Sequence, residues 1–462
     1  MEEKRNSFSN SLGFVIAAAA SAVGLGNIWR FPYLAARDGG GLFLVVYLIL
    51  ALTFGFTLVT AEIAIGRKTK QSPLTAYKTL NKNAGVLGVM ACVIPSIILP
   101  YYCAIGGWVI RYFLAFLSGA GEQTAQEGYF SDFISGTNMP IIMLIVFLVL
   151  TMIIVIGGVD KGIERFSKII LPVLLLFVIV IAVFSLTISY KAEDGTIRTG
   201  MEGLRILILP DLTGVDIKTF ISTLIDAMGQ LFYSLSIAMG ILIAYGSYMR
   251  DDTDLEKSVR QIEIFDTGVA FLAGVMIIPA VYVFMGKEGM EASGPGLMFV
   301  TLPKVFRQMG GVGNVIGGLF FAMVLFAAVT SSVSIMEAVV SSFIDGFKMK
   351  RKKAVLLVGG ITLLLGVLVC LGYNVFYFEY ELPNGAVGQI LDIMDYISNN
   401  LLMPAVSIAT CILIGWIMGP GQILDEVSKN GENFRRKGLF IVMIRFVAPV
   451  MLLILLLKAV GL

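Results

Sequence analysis

Histidine is absent from this 462-residue chain, which excludes a histidine proton relay, a histidine-ligated metal and a serine–histidine hydrolase. Charge is scarce as well. Charged residues make up 14% of the chain against 57% hydrophobic, and the mean hydropathy is +0.88, a balance that soluble globular domains do not have. The chain therefore reads as an integral membrane protein. Cysteine is limited to Cys92, Cys103, Cys370 and Cys411, each in an apolar stretch and without zinc or redox spacing, so no disulfide framework is indicated. Nucleotide-binding loops are missing too: the Gly24-Leu25-Gly26 stretch lacks the strand and lysine of a phosphate cradle, which disfavours an ATP-driven pump. No nucleic-acid partner is expected.

What the chain has in abundance is membrane-length apolar sequence. Eleven candidate spans lie near residues 13–36, 42–65, 86–117, 140–157, 167–189, 218–247, 264–285, 314–344, 354–372, 388–418 and 439–460, each long enough to cross a bilayer. Residues 1–12 are polar and the following apolar run lacks a cleavage site, so no signal peptide is expected. With the amino terminus in the cytoplasm, the inner segments hold 22 Lys and Arg and the outer segments 9. That bias follows the positive-inside rule and puts the carboxyl terminus outside. Lys348-Met349-Lys350-Arg351-Lys352-Lys353 supplies five of the inner charges and reads as a topology signal. The loop from Lys287 to Gly313 contains Leu297–Val305, apolar but too short to span, and reads as an external cap.

Two spans carry residues that do not suit lipid. The first holds Gly24, Gly26, Asn27 and Arg30, and the sixth holds Tyr233-Ser234-Leu235-Ser236 with Gly240. Backbone freed from a helix at bilayer depth survives only where it faces protein or a polar cavity, so both spans are expected to be unwound at mid-membrane around one chamber. Breaks five spans apart point to an inverted repeat of five plus five helices: 13–190, then 218–418, with 439–460 outside the symmetry. The whole of 1–462 then forms one transporter domain of the all-α membrane class. Half-helix amino ends favour an anionic group and freed carbonyls favour cations, so one chamber suits sodium beside a zwitterion such as an α-amino acid.

These residues fall in strings that resemble the neurotransmitter:sodium symporters, and within them the bacterial LeuT-type amino-acid transporters. The strings are Gly24-Leu25-Gly26-Asn27-Ile28-Trp29-Arg30-Phe31-Pro32, Asp38-Gly39-Gly40-Gly41, Pro100-Tyr101-Tyr102, Gly229-Gln230-Leu231-Phe232-Tyr233-Ser234-Leu235-Ser236, Thr330-Ser331-Ser332 and Asp392-Ile393-Met394-Asp395. The resemblance implies two sodium sites: one from the Ala22 carbonyl with Asn27, Ser234 and Asp266, the other from the carbonyls of Ala20, Val23 and Ala327 with the hydroxyls of Thr330 and Ser331. It implies a substrate carboxylate at the N–H groups of Leu25 and Gly26 and the Tyr102 hydroxyl, and an ammonium at the carbonyls of Ala22, Tyr233, Ser234 and Ser236. The side-chain pocket falls to Ile98, Met239 and Ile335, with Ser331 and Ser332 beside them.

By the same resemblance Arg30 and Asp395 form an outer gate with Tyr233 as lid, and Arg5 and Asp345 form an inner gate supported by Phe8 and Tyr248. Asp266 departs from the animal members, which have asparagine there and chloride close by, and Ala270 replaces their chloride-binding serine. A fixed carboxylate would supply the missing charge, so no chloride is expected. The implied activity is sodium-coupled symport of a hydrophobic or aromatic L-amino acid by alternating access, at the inner (plasma) membrane; it is not an enzyme. The alternative is an amino-acid receptor of the same fold that moves no cargo.

Overall fold

The computed structural model describes residues 7–192, 195–212 and 215–462. The main helices are α1 (Ser11–Ala22), α2 (Gly26–Arg37), α3 (Gly41–Thr69), α4 (Lys82–Leu117), α5 (Asn138–Ile156), α6 (Val159–Thr187), α7 (Ile217–Ser234), α8 (Ile241–Tyr248), α9 (Leu255–Met285), α10 (Gly311–Phe347), α11 (Arg351–Leu371), α12 (Ile390–Ile417) and α13 (Lys437–Ala459). Among the described residues nine helices are long and apolar enough to cross a membrane, and α1 with α2 forms a tenth span bent by 50°. The pair α7 and α8 covers the sixth apolar segment of the sequence, 218–247. Two short antiparallel hairpins, Ser189–Lys191 with Ile197–Thr199 and Tyr380–Glu381 with Val387–Gly388, join helices; apolar periodicity carries no signal for them.

Local chemistry explains the first break. Asn10 starts α1 by accepting the Gly13 N–H at 2.8 Å, a side chain standing in for an absent carbonyl. An alanine-rich run follows, and α1 stops where Val23 turns extended, with ψ at 96°. Beyond the break the Gly24 N–H is satisfied by Asn27 Oδ1 at 3.1 Å. The chain re-enters as a wide π-type turn over Gly26–Arg30, and Pro32 sits in the first turn of the helix proper, where its missing N–H costs nothing.

The second break is held in a strained shape. Between α7 and α8, Ser236 and Ala238 have φ of 54° and 63°, left-handed conformations that L-residues adopt at a cost of order 1–3 kcal/mol. A buried carboxylate supports the turn: Glu62 Oε1 on α3 accepts the Ala238 N–H at 2.7 Å. Around the two interrupted spans, α3 packs on α8, α4 packs on α10, and α1 packs against both α9 and α10.

The loop read as a cap folds into short helices, Gly294–Gly296, Leu297–Thr301 and Leu302–Gln308. It lies on the ends of α4 and α10 through Phe299, whose carbonyl accepts the Tyr112 hydroxyl at 2.8 Å. All four cysteines are free and buried. Leucines, isoleucines and valines such as Leu48, Val183, Leu364 and Leu453 stay exposed on the outer faces of the bundle, as lipid-facing positions require.

At the far end of α3, Arg67 is wholly buried. Its Nε bonds Glu426 Oε1 at 2.7 Å and its Nη1 bonds the Thr253 carbonyl at 2.6 Å, while Nη2 bonds the Glu426 carbonyl. One guanidinium thus pins the turn at Thr253 and the short helix Gly421–Val427 to α3. Removing one partner of such a pair leaves a buried uncompensated charge, so Glu426→Gln is expected to destabilise the fold by about 3–5 kcal/mol, read as a lowered unfolding midpoint in detergent.

Candidate functional site

The two breaks face each other, and α4 and α10 close the sides. The cavity between them is lined by Ala22, Gly24, Leu25, Gly26, Asn27, Ile98, Tyr102, Tyr233, Ser234, Ser236, Met239, Ser331 and Ile335. Ser21 and Ile241 also line it; both flank recognised motif residues and were missed from the sequence. The free volume is small, about 30 Å³, room for roughly two waters.

Asp266 on α9 is the hub. Its Oδ1 accepts Asn27 Nδ2 at 2.9 Å and the Ser234 hydroxyl at 2.6 Å, and its Oδ2 accepts the Tyr47 hydroxyl at 3.3 Å. Asn27 lies at the first break and Ser234 at the second, so one carboxylate ties both interrupted helices together. Both Asp266 and Asn27 are 0% exposed, and no cationic side chain pairs with Asp266 among the described residues. An ionised carboxylate in such surroundings needs a counter-charge. No three His, Cys, Asp or Glu side chains converge among the described residues; the donors on offer are hydroxyl, amide and carboxylate oxygens, which suit a hard cation.

The second expected donor set lies where α1 meets α10. Ser331 donates to the Ser21 carbonyl at 3.2 Å, and Thr330 donates to the Ala327 carbonyl at 3.0 Å. Ala20, Val23 and Ala327 are buried on the same two helices. Ser332 corrects the sequence reading. It is absent from the cavity lining, donates to the Val329 carbonyl at 3.0 Å and meets Thr151 on α5 at 2.8 Å. Ser331 lines the chamber, whereas the Ser332 hydroxyl is turned toward α5.

Tyr102 is 4% exposed, and among the described residues its hydroxyl makes no hydrogen bond of good geometry, with Ser331 and the Leu25 backbone close by. A Cβ at Gly24 would lie 3.6 Å from that hydroxyl and 2.9 Å from Ser331 Oγ; one at Gly26 would lie 2.8 Å from the Tyr233 ring. Both glycines thus let side chains close over backbone. Gln230 donates to the Gly26 carbonyl at 3.0 Å, a further link between the breaks that its place in the Gly229–Ser236 string could have signalled.

The expected outer pair is apart in this structure. Asp395 accepts the Tyr101 hydroxyl at 3.1 Å and Asn399 Nδ2 at 2.6 Å, whereas the Arg30 guanidinium lies 6.0 Å from the centre of the Tyr233 ring. Arg30 faces a separate cavity of about 290 Å³ with Asp226 and Lys458, so no Arg30–Asp395 ion pair forms. At the opposite end Phe8 and Tyr248 do come together, ring centres 6.4 Å apart, with the Phe8 N–H donating to the Tyr248 carbonyl at 3.2 Å. Asp345 accepts the Ser72 N–H at 2.7 Å; Arg5 lies outside the described residues. Sequence reasoning missed Glu337 and Arg351. The Tyr248 hydroxyl donates to Glu337 at 2.7 Å, and Arg351 grips both Glu337 oxygens at 2.7 and 2.8 Å. An acid within the apolar run of α10 was the available signal.

Two interrupted helices facing one chamber of polar donors define the architecture of a secondary transporter of the broken-helix type. The chain belongs to the sodium:neurotransmitter symporter family, whose model matches residues 5–123 and 129–461, and it is a sodium-dependent symporter with the LeuT-type fold. It is 32% identical to the uncharacterized sodium-dependent transporter YhdH of Bacillus subtilis (strain 168), over 100% of this chain and 99% of that one. It is 24% identical to the sodium- and chloride-dependent GABA transporter 2 of Mus musculus, over 92% and 75% respectively. The structure matches the crystal structure of MhsT in complex with L-phenylalanine at a TM-score of 0.85 and 33% identity, covering 98% of this chain and 100% of that chain.

Ser331 and Ser332 give a direct contrast. Ser331→Ala is expected to raise the half-saturating sodium concentration several-fold, the scale of about 1 kcal/mol for one lost polar contact. Ser332→Ala is expected to leave it within about twofold, measured as sodium-dependent uptake in proteoliposomes.

Proposed function

We propose that this chain carries a hydrophobic or aromatic L-amino acid across the membrane together with sodium, by alternating access and without chloride. The observation that carries the reading is the Asp266 carboxylate, buried without a cationic partner and bonded to Asn27 at one break and Ser234 at the other. In this reading the first sodium sits among Ala22, Asn27, Ser234 and Asp266. A second sodium sits among Ala20, Val23, Ala327, Thr330 and Ser331 and holds α1 against α10. Asp266 provides the negative charge that chloride provides in chloride-dependent relatives.

The substrate carboxylate meets the N–H groups of Leu25 and Gly26 and the Tyr102 hydroxyl, completing the first sodium's shell. The ammonium is taken by the carbonyls of Ala22, Tyr233, Ser234 and Ser236. No acid stands at Gly24 to pair an amine lacking a carboxylate, which favours a substrate that brings its own. Ile98, Met239, Ile241 and Ile335 give the remaining wall its apolar character, and the Met239 thioether adapts to different shapes. L-phenylalanine in the MhsT structure supports a bulky side chain here. Because sodium and carboxylate share a site, each raises the other's affinity.

The cycle then follows from the gates. Sodium and substrate bind while Arg30 and Asp395 are apart; the pair closes with Tyr233 over the substrate. Release of the second sodium frees α1 to swing on the Phe8–Tyr248 side, where Arg5 and Asp345 form the inner latch. The proposed repeats are 13–190 and 218–418, with 439–460 outside them, the amino terminus cytoplasmic and the carboxyl terminus outside, in the plasma membrane.

Radiolabelled uptake and counterflow in proteoliposomes, with competition by all twenty amino acids, test the reading. Leucine, phenylalanine, tyrosine and tryptophan are expected to compete; competition by glycine or alanine alone, or absence of counterflow, contradicts it. Asn27→Ala and Ser234→Ala are each expected to weaken both sodium and substrate about tenfold, equivalent to about 1.4 kcal/mol. Equal substrate affinity in sodium and potassium buffers overturns the shared site. Replacing chloride with gluconate is expected to leave uptake within about twofold, and its abolition overturns the role given to Asp266.

A further inference from the structure

A second cavity, of about 260 Å³, lies away from the chamber, where α4, the short helix Tyr129–Ser135, the end of α11 and the start of α12 meet. Its walls are aromatic and its rim is acidic. Trp108, Phe130 and Tyr373 line it, together with Glu379 and Asp392, and no Lys or Arg is among its lining residues. Trp108 meets Phe130 edge-on with centres 5.3 Å apart and meets Tyr373 edge-on at 5.8 Å. Phe130 is in turn stacked at 5.1 Å on Phe299, so the box is braced from behind.

The carboxylates are positioned by neutral partners. Asp392 Oδ2 accepts the Gln389 N–H at 2.9 Å and Glu379 Oε1 accepts the Tyr377 hydroxyl at 2.5 Å. Neither bond neutralises the charge. Arg111, one turn along α4 from Trp108, sets its guanidinium over the Tyr129 ring at 5.7 Å and is not part of the lining. Aromatic faces with electron-rich surfaces, closed by two carboxylates, are the chemistry that recognises an organic ammonium ion.

We propose that this cavity is a second ligand site, selective for an alkylammonium headgroup and separate from the sodium and substrate chamber. Asp392 lies one turn before Asp395 on α12, so the bound cation abuts the helix that carries the outer gate residue. The inference does not depend on which substrate the central chamber takes.

Choline is the probe and 3,3-dimethylbutanol its neutral isostere, each titrated calorimetrically into the purified full-length chain at constant sodium. Choline is expected to bind saturably and at least about tenfold more tightly than the isostere. The double variant Glu379→Gln with Asp392→Asn keeps both positioning bonds and is expected to lose choline affinity at least about tenfold, as is Tyr373→Leu, while sodium-dependent thermal stabilisation reports that each variant is folded. No saturable choline binding, equal binding of the isostere, or unchanged affinity in the folded variants overturns the proposal. Loss of choline binding in Ser234→Ala with retention in the double variant assigns the cation to the central chamber and overturns it as well.

Discussion

Asp266 decides the architecture of this membrane protein. A carboxylate with 0% exposure is costly unless its charge is met, and among the described residues its hydrogen bonds come from neutral groups: Asn27, Ser234 and Tyr47. Three bonds orient it without neutralising it. The same three bonds gather the first broken helix, the second broken helix and α3 around one point. In the proposed reading, occupancy by sodium satisfies the charge and cross-links the two breaks in a single event, which would couple ion to cargo.

Everything near that point maintains helices that do not continue. Asn27 replaces a lost carbonyl for Gly24, Glu62 caps Ala238, and Gln230 takes the Gly26 carbonyl. Left-handed Ser236 and Ala238 show that the second break is strained rather than merely loose. Strain held by a few specific side chains can be released by moving them, whereas a continuous helix at the same depth offers no exposed N–H or carbonyl to any ligand. The residues expected at the two gates differ in their contacts: Arg30 and Asp395 stand apart, while Phe8 is buried against Phe14, Tyr245 and Tyr248.

Much of this was legible in the chain. Apolar runs marked the spans, and Gly24, Asn27 and Ser234 marked the breaks because small or polar residues at bilayer depth are costly unless used. The sixth span, read as 218–247, is observed as Ile217–Ser234 and Ile241–Tyr248. Helix phase was less legible. Ser331 and Ser332 share a motif, yet Ser331 lines the chamber and Ser332 meets Thr151 on α5, and a string of letters does not state the angle. A partner brought from a distant helix was invisible for a related reason: Glu62 reaches a backbone N–H on the segment after α7, with no periodic signature. Nor does the sequence show that Asp395 takes Tyr101 and Asn399 as its partners.

The account stands most directly on whether Asp266 holds sodium. Equilibrium binding of radiolabelled sodium to the purified protein, wild type against Asp266→Ala, with circular dichroism and size-exclusion profiles to confirm intact folding, measures this without reference to any substrate. Loss of one of two sodium equivalents in the variant is the predicted result; an unchanged stoichiometry and affinity in a folded variant would contradict it.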